Sequence, residues 1–133
     1  MNKNIRFTQR FENYKNSLSV LEKSILIKKP SEIEKAGIVQ LFEVTFELAW
    51  KLFKDYLKIN GIVINSPREA IKHAAQEGLI ENGRLYLKML DERNSSAHLY
   101  DEAMITKLQE KVKEQFVPAL LLLKTKCEQL LQK

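Results

Sequence analysis

SEIEKAGIVQLFEVTFELAWKLFKDYLKING, Ser31 to Gly61, decides the fold. Ser31 follows Pro30 and has Glu34 three residues on, a capping-box pattern that starts a helix, and the Asn60-Gly61 pair marks where that helix stops. Between these ends the apolar arc is wide. Ile38, Val39, Leu41, Phe42, Phe46, Leu48, Ala49, Trp50, Leu52, Phe53, Tyr56 and Leu57 leave polar mainly Glu43, Glu47, Lys51, Lys54 and Lys58. A helix with so little polar surface is enclosed on most sides, which places it at the centre of a bundle, or in a core and a subunit interface together.

The flanking sequence supplies helices to enclose it. Upstream, Phe7, Phe11, Tyr14, Leu18, Leu21 and Ile25 step by three and four residues, one apolar stripe on an amphipathic helix that ends before Pro30. Downstream, SPRE from Ser66 to Glu69 combines an N-cap serine, a proline at the first helical position and a capping-box glutamate, so a short helix starts there and stops near Gly78. Leu85, Met89 and Leu90 carry a further helical pattern from about Asn82 into Arg93. Ile105, Leu108, Val112, Phe116, Ala119, Leu123, Cys127 and Leu130 then make a long last helix, which Pro118 is predicted to kink. The fold predicted is all-α: an antiparallel up-and-down four-helix bundle with a short extra helix in one crossover, spanning residues 1–133 as one domain.

Composition agrees, since 4 glycines and 3 prolines among 133 residues are too few to turn a chain of many short strands. A single cysteine, Cys127, allows no internal disulfide and fits a reducing compartment. No leader pattern and no uncharged apolar run of roughly 18 residues is present, so the sequence reads as cytoplasmic, with no membrane partner. The net charge of +5 is concentrated in the first thirty residues, which hold 7 Lys or Arg against 2 acids, whereas the remainder is balanced. Lys3, Arg6 and Arg10 recur there at helical spacing, either as a solvated helix flank or as a weak attractor of phosphate backbones.

Motif chemistry is sparse. A glycine-rich phosphate loop, a paired-cysteine zinc pattern, HExxH and GxSxG are all missing from the sequence, and no cofactor is expected. The one unusual stretch is DERNSSAHLYDE, Asp91 to Glu102, which sets Arg93, Asn94, Ser95, Ser96, His98 and Tyr100 between two helical patterns. On a continuous helix Arg93 and His98 would point about 140° apart. They converge only if the helix ends between them, an ending that Ser95 and Ser96 favour through their local hydrogen bonds.

Two readings stay open on spacing alone. In one, Arg93 grips a phosphate and His98 moves a proton, as metal-free RNA cleavage by a 2′-hydroxyl requires. A twofold dimer would then supply the second acid–base group. In the other, the stretch is a polar turn, with Asp101 or Tyr100 near an N-cap and Arg93 paired to Asp91 or Glu92. Four acids, Asp91, Glu92, Asp101 and Glu102, surround the single Arg93 and weaken its pull on phosphate. A metal site built from His98 and these acids matches no standard ligand spacing.

Three blocks, LFEVTFELAWKLFKDYL (Leu41–Leu57), SPREAIKHAAQEGLI (Ser66–Ile80) and MLDERNSSAHLYDE (Met89–Glu102), together resemble the nucleotidyltransferase substrate-binding family, a branch of the HEPN superfamily of helical bundles. The third block is similar to the Arg-x4-His-x-Tyr signature of HEPN ribonuclease toxins. The resemblance implies a homodimer partnered by a small nucleotidyltransferase, as a toxin–antitoxin pair or as a two-subunit transferase. In the toxin case Arg93 and His98 would be the metal-independent catalytic pair at the dimer interface, RNA the substrate, and Tyr100 the acceptor of AMP added by the partner to silence it. In the other case the chain is a noncatalytic binding or regulatory subunit. Asn94, Ser95, Glu47, Lys51 and Arg68 are weaker candidates for contacting substrate or partner. Glu47 and Lys51 also read as an ordinary i, i+4 ion pair, and Trp50 as packing rather than a base-stacking platform.

Overall fold

The computed structural model describes residues 2–98 and 101–132, and among these every regular element is helical. The helices are α1 (Asn2–Ser24), α2 (Glu32–Ile59), α3 (Pro67–Gln76), α4 (Gly83–Ser95), α5 (Glu102–Lys111) and α6 (Val117–Leu131). A π-helical segment, Val112–Phe116, fuses α5 to α6.

Local chemistry sets most of the boundaries. Ser31 Oγ accepts from the Glu34 amide at 3.1 Å, and Glu34 Oε1 accepts from the Ser31 amide at 2.9 Å, closing the capping box of α2. Ser66 and Asn82 cap α3 and α4 through one bond each, accepting from the amides of Glu69 and Leu85. At the other ends of α2 and α3, Gly61 and Gly78 adopt φ of 82° and 78°. Those left-handed turns let Ile62 and Leu79 donate back to Leu57 and Ala74, both at 2.9 Å. Helix α1 ends before Pro30 as its sequence predicts, at Ser24, where Ser24 Oγ bonds the Leu21 carbonyl at 2.7 Å and competes with the helix ladder.

Side-chain contacts fix the directions. Ser17–Thr45 and Arg10–Asp55 run α1 antiparallel to α2. Tyr86–Phe53 and Arg93–Glu47 do the same for α4 and α2. Lys88–Gln115 and Lys111–Glu92 set α4 antiparallel to the last helix. The chain therefore runs up, down, up and down through α1, α2, α4 and α5–α6, with α3 inserted between the second and third. Helix α2 sits at the centre: it packs on α1, α3, α4 and α5, and Phe42, Phe46, Ala49, Leu52, Phe53 and Leu57 are fully enclosed.

Pro118 does not produce a simple kink. Without an amide it cannot continue the α ladder, and its ring crowds the carbonyl one turn back. The turn before it is wide, Val117 N–H bonding Val112 O five residues away, a geometry that accommodates the proline. Leu108, Val112, Phe116, Leu123 and Cys127 are buried as their spacing predicts, but just beyond the wide turn Val117 and Leu120 also enter the core while Ala119 is only half-buried. Phe116 stacks on Phe42 with ring centroids 5.1 Å apart, tying the wide turn to the central helix.

Candidate functional site

The last turn of α4 is held by three helices through three consecutive residues. Asp91 accepts from Arg68 Nη2 of α3 at 3.3 Å, Glu92 takes Lys111 Nζ of α5 at 3.3 Å, and Arg93 Nη2 donates to Glu47 Oε2 of α2 at 2.6 Å. Successive helical residues point about 100° apart, so one turn can face three neighbours. The expected pairing of Arg93 with Asp91 or Glu92 is not what forms, because those carboxylates face away from it toward α3 and α5.

The other two acids of the stretch are also engaged elsewhere. Asp101 caps α5 by accepting from the Met104 amide at 2.8 Å, and Glu102 lies 4.0 Å from Lys35 Nζ. The excess of negative charge around Arg93 in the sequence is thus distributed over partners on other elements.

Helix α4 ends at Ser95, between Arg93 and His98, and a single 3₁₀ turn, Ser96–His98, follows. The ending has a local cause. The Ser96 hydroxyl donates toward two acceptors, the Arg93 carbonyl at 2.8 Å and Glu43 Oε2 at 2.5 Å. Glu43 and Glu47, one turn apart on α2, thereby fix both sides of the α4 terminus. His98 is exposed on that turn. Tyr100, the tyrosine singled out by the sequence, lies outside the described residues.

Arg93 is restrained but reachable. Its side chain is 27% exposed, its Cζ lies 5.9 Å from the Phe46 ring centroid, and Nη1 reaches Asn94 Oδ1 at 3.3 Å. Its Nε is buried without a hydrogen-bond partner among the described residues. Glu47 is shared, with Oε1 lying 3.7 Å from Lys51 Nζ. Arg93 and Lys51 share the Glu47 carboxylate, with Glu43 one turn away on Ser96, and an incoming anionic oxygen can displace Glu47 from the guanidinium.

The remaining predicted residues divide. Arg68 belongs to the same region through Asp91, and Asn94 through Arg93, while Ser95 is exposed beside them. Arg10 does not reach the α4 end: Asp55, only 7% exposed, holds it at 2.9 Å on the α1–α2 edge. Arg6 is exposed on the same side of α1, and the side chain of Lys3 lies outside the described residues. Trp50 packs against the core, half-buried. Sequence reasoning missed Glu43 and Ser96 as a pair; their only signal was two polar residues in otherwise separate blocks. Among the described residues, no group of three His, Cys, Asp or Glu is placed to hold a metal ion, and no helix is long and apolar enough to cross a membrane.

Among the described residues the protein is an all-helical bundle in which the end of α4 is tied by ion pairs to three other helices. This chain belongs to the family described as nucleotidyltransferase substrate binding protein like, whose model matches residues 9–129. It is also similar to a protein of known crystal structure from Thermus thermophilus. The two share 28% sequence identity and superimpose with a TM-score of 0.75 over 90% of this chain and 99% of that one. No curated protein matches it.

Proposed function

We propose that this chain, acting as one helical domain, is the binding or regulatory subunit of a two-subunit nucleotidyltransferase. In this reading the end of α4, with Glu47 and Lys51 of α2, holds an anionic group of the substrate. Family membership across residues 9–129 is the observation that carries the reading. The geometry supports it, because Arg93 is pre-oriented by Glu47 and Phe46 yet keeps an exposed edge. Binding an anion there requires exchange of one charge-assisted hydrogen bond for another, and no folding of the site. The test is to co-express the chain with a small nucleotidyltransferase from the same genome and purify through a tag on one partner. Stable co-elution is expected. Separation of the two under low salt would refute the subunit reading.

A second reading, a metal-independent ribonuclease toxin acting as a homodimer, is favoured by one observation: α4 stops between Arg93 and His98. A helix running through would have held them apart. In that reading Arg93 clamps the phosphate, His98 of each copy supplies acid or base, and the partner silences the site by placing AMP on Tyr100. Cleavage of RNA by the purified chain, lost in His98→Ala, together with a mass increase on incubation with the partner and ATP that Tyr100→Phe abolishes, is the outcome this reading requires.

A further inference from the structure

The polar side of α2 continues beyond Lys51. At about 100° per residue Glu47, Lys51, Lys54 and Lys58 fall within a sector about 60° wide, and they extend about 16 Å along the helix. Lys54 and Lys58 are exposed, and neither has an ion-pair partner among the described residues.

Helix α1 adds charge along one edge of this sector. Arg10 bonds Asp55, which sits one turn after Lys51 and just before Lys58. Arg6 lies one turn before Arg10 on the same face of α1. Because α1 and α2 are antiparallel, Arg6 flanks the Lys58 end, where Phe7 meets Tyr56 with ring centroids 6.0 Å apart. The carboxylates of the region are committed: Asp55 lies beneath Arg10, Glu47 between Arg93 and Lys51, and Glu43 on Ser96.

We propose that this face binds the phosphodiester backbone of a single-stranded nucleic acid, with Lys51, Lys54 and Lys58 as successive phosphate contacts, Arg6 and Arg10 along their flank, and Arg93 at the head. The proposal rests on the reading of this chain as a substrate-binding subunit and assigns the substrate a class: a polynucleotide, which occupies the whole track, rather than a mononucleotide, which fills only its head. Lysines on flexible stems suit an irregular backbone, since each ammonium follows a phosphate independently. A protein partner fits the face less well. Between Glu47 and Lys58 the sector carries no exposed large apolar side chain, and the centres of protein interfaces are depleted in lysine and built on apolar or aromatic anchors.

The test is fluorescence anisotropy of a labelled single-stranded oligouridylate with the full chain, titrated at several KCl concentrations. If Lys51, Lys54, Lys58, Arg6 and Arg93 each meet a phosphate, the logarithm of the binding constant falls against log salt with a slope of about −3.5. Lys54→Ala with Lys58→Ala should bring that slope about 1.4 closer to zero and weaken binding, while Lys54→Arg with Lys58→Arg keeps both. All these substitutions are at exposed positions, and unchanged thermal melting verifies the fold. An unchanged slope in the double-alanine variant, or no binding by the wild-type chain at low salt, overturns the proposal. So does loss of the co-expressed nucleotidyltransferase from the double-alanine variant, which would make the face a protein-docking surface. If the wild-type chain binds the oligonucleotide with the expected slope but never retains the transferase, the subunit reading fails and the nucleic-acid face stands.

Discussion

Arg93 Nη2 lies 2.6 Å from Glu47 Oε2, joining the end of α4 to the central helix across 46 positions of sequence. Two carboxylates far nearer along the chain, Asp91 and Glu92, bond other helices instead. The pair has a structural and a chemical role at once, since it docks the α4 terminus and aims the guanidinium.

A double-mutant cycle measures its strength. Arg93→Ala, Glu47→Ala and the double variant, compared by urea denaturation, should give a coupling energy of about 1 kcal/mol. That is below the range for fully buried charged hydrogen bonds, because water reaches both side chains. A coupling indistinguishable from zero would mean that the contact does not orient Arg93.

The core carries an alkaline limit. Burial pushes the Cys127 thiol up to about 12, with Glu128 adding to the shift, and burial likewise raises the hydroxyls of Tyr14 and Tyr86 well above the usual phenol range. Each group is held neutral by the fold, so its contribution is complete below its unfolded value, 9.0 for the thiol and 10.0 for the phenols, and is lost as pH rises from there toward the folded value. Stability should therefore be insensitive to these groups at neutral pH and fall steadily above about pH 9. Cys127 should react with a thiol reagent at pH 8 only as fast as the chain unfolds. Tyr14→Phe, which removes the 2.6 Å bond to the Leu120 carbonyl, should cost about 1 kcal/mol at pH 7 and lessen the alkaline loss. Rapid labelling of native Cys127 would contradict this picture.

The wide turn before Pro118 tests whether the proline or the packing sets the phase of the last helix. Val112 and Phe116 are both fully enclosed, and a return to α geometry would rotate one of them out of the core. Pro118→Ala, at an exposed position, should thus leave the π segment in place and change stability by no more than about 1 kcal/mol. Chemical shifts of Leu108 and Leu120 methyl groups would report a rotation; a large displacement would assign the phase to the proline alone.

The features legible in the sequence are local or periodic. Ser31 and Glu34, Ser66 and Pro67, and Gly61 and Gly78 act within one turn of the backbone they cap, so their effect is visible in a few consecutive letters. The wide apolar arc from Ile38 to Leu57 identifies the central helix because burial on most sides leaves no room for polar residues. The ending of α4 near Ser95 and Ser96 was legible for the same reason, as was the likeness of three blocks to a family.

Partnership between distant residues emerged only when the helices packed. Asp101 as an N-cap was legible in DERNSSAHLYDE, but nothing there says that its other acids pair with Arg68, Lys111 and Lys35 while Arg93 and Ser96 take Glu47 and Glu43. The direction in which a charged side chain leaves a helix depends on the rotation of that helix against its neighbours, and that rotation is fixed by packing of the apolar faces. The same packing decided which residues after Phe116 are enclosed, Val117 and Leu120 joining Leu123 and Cys127, because close-packed side chains settle what a bare spacing pattern leaves free.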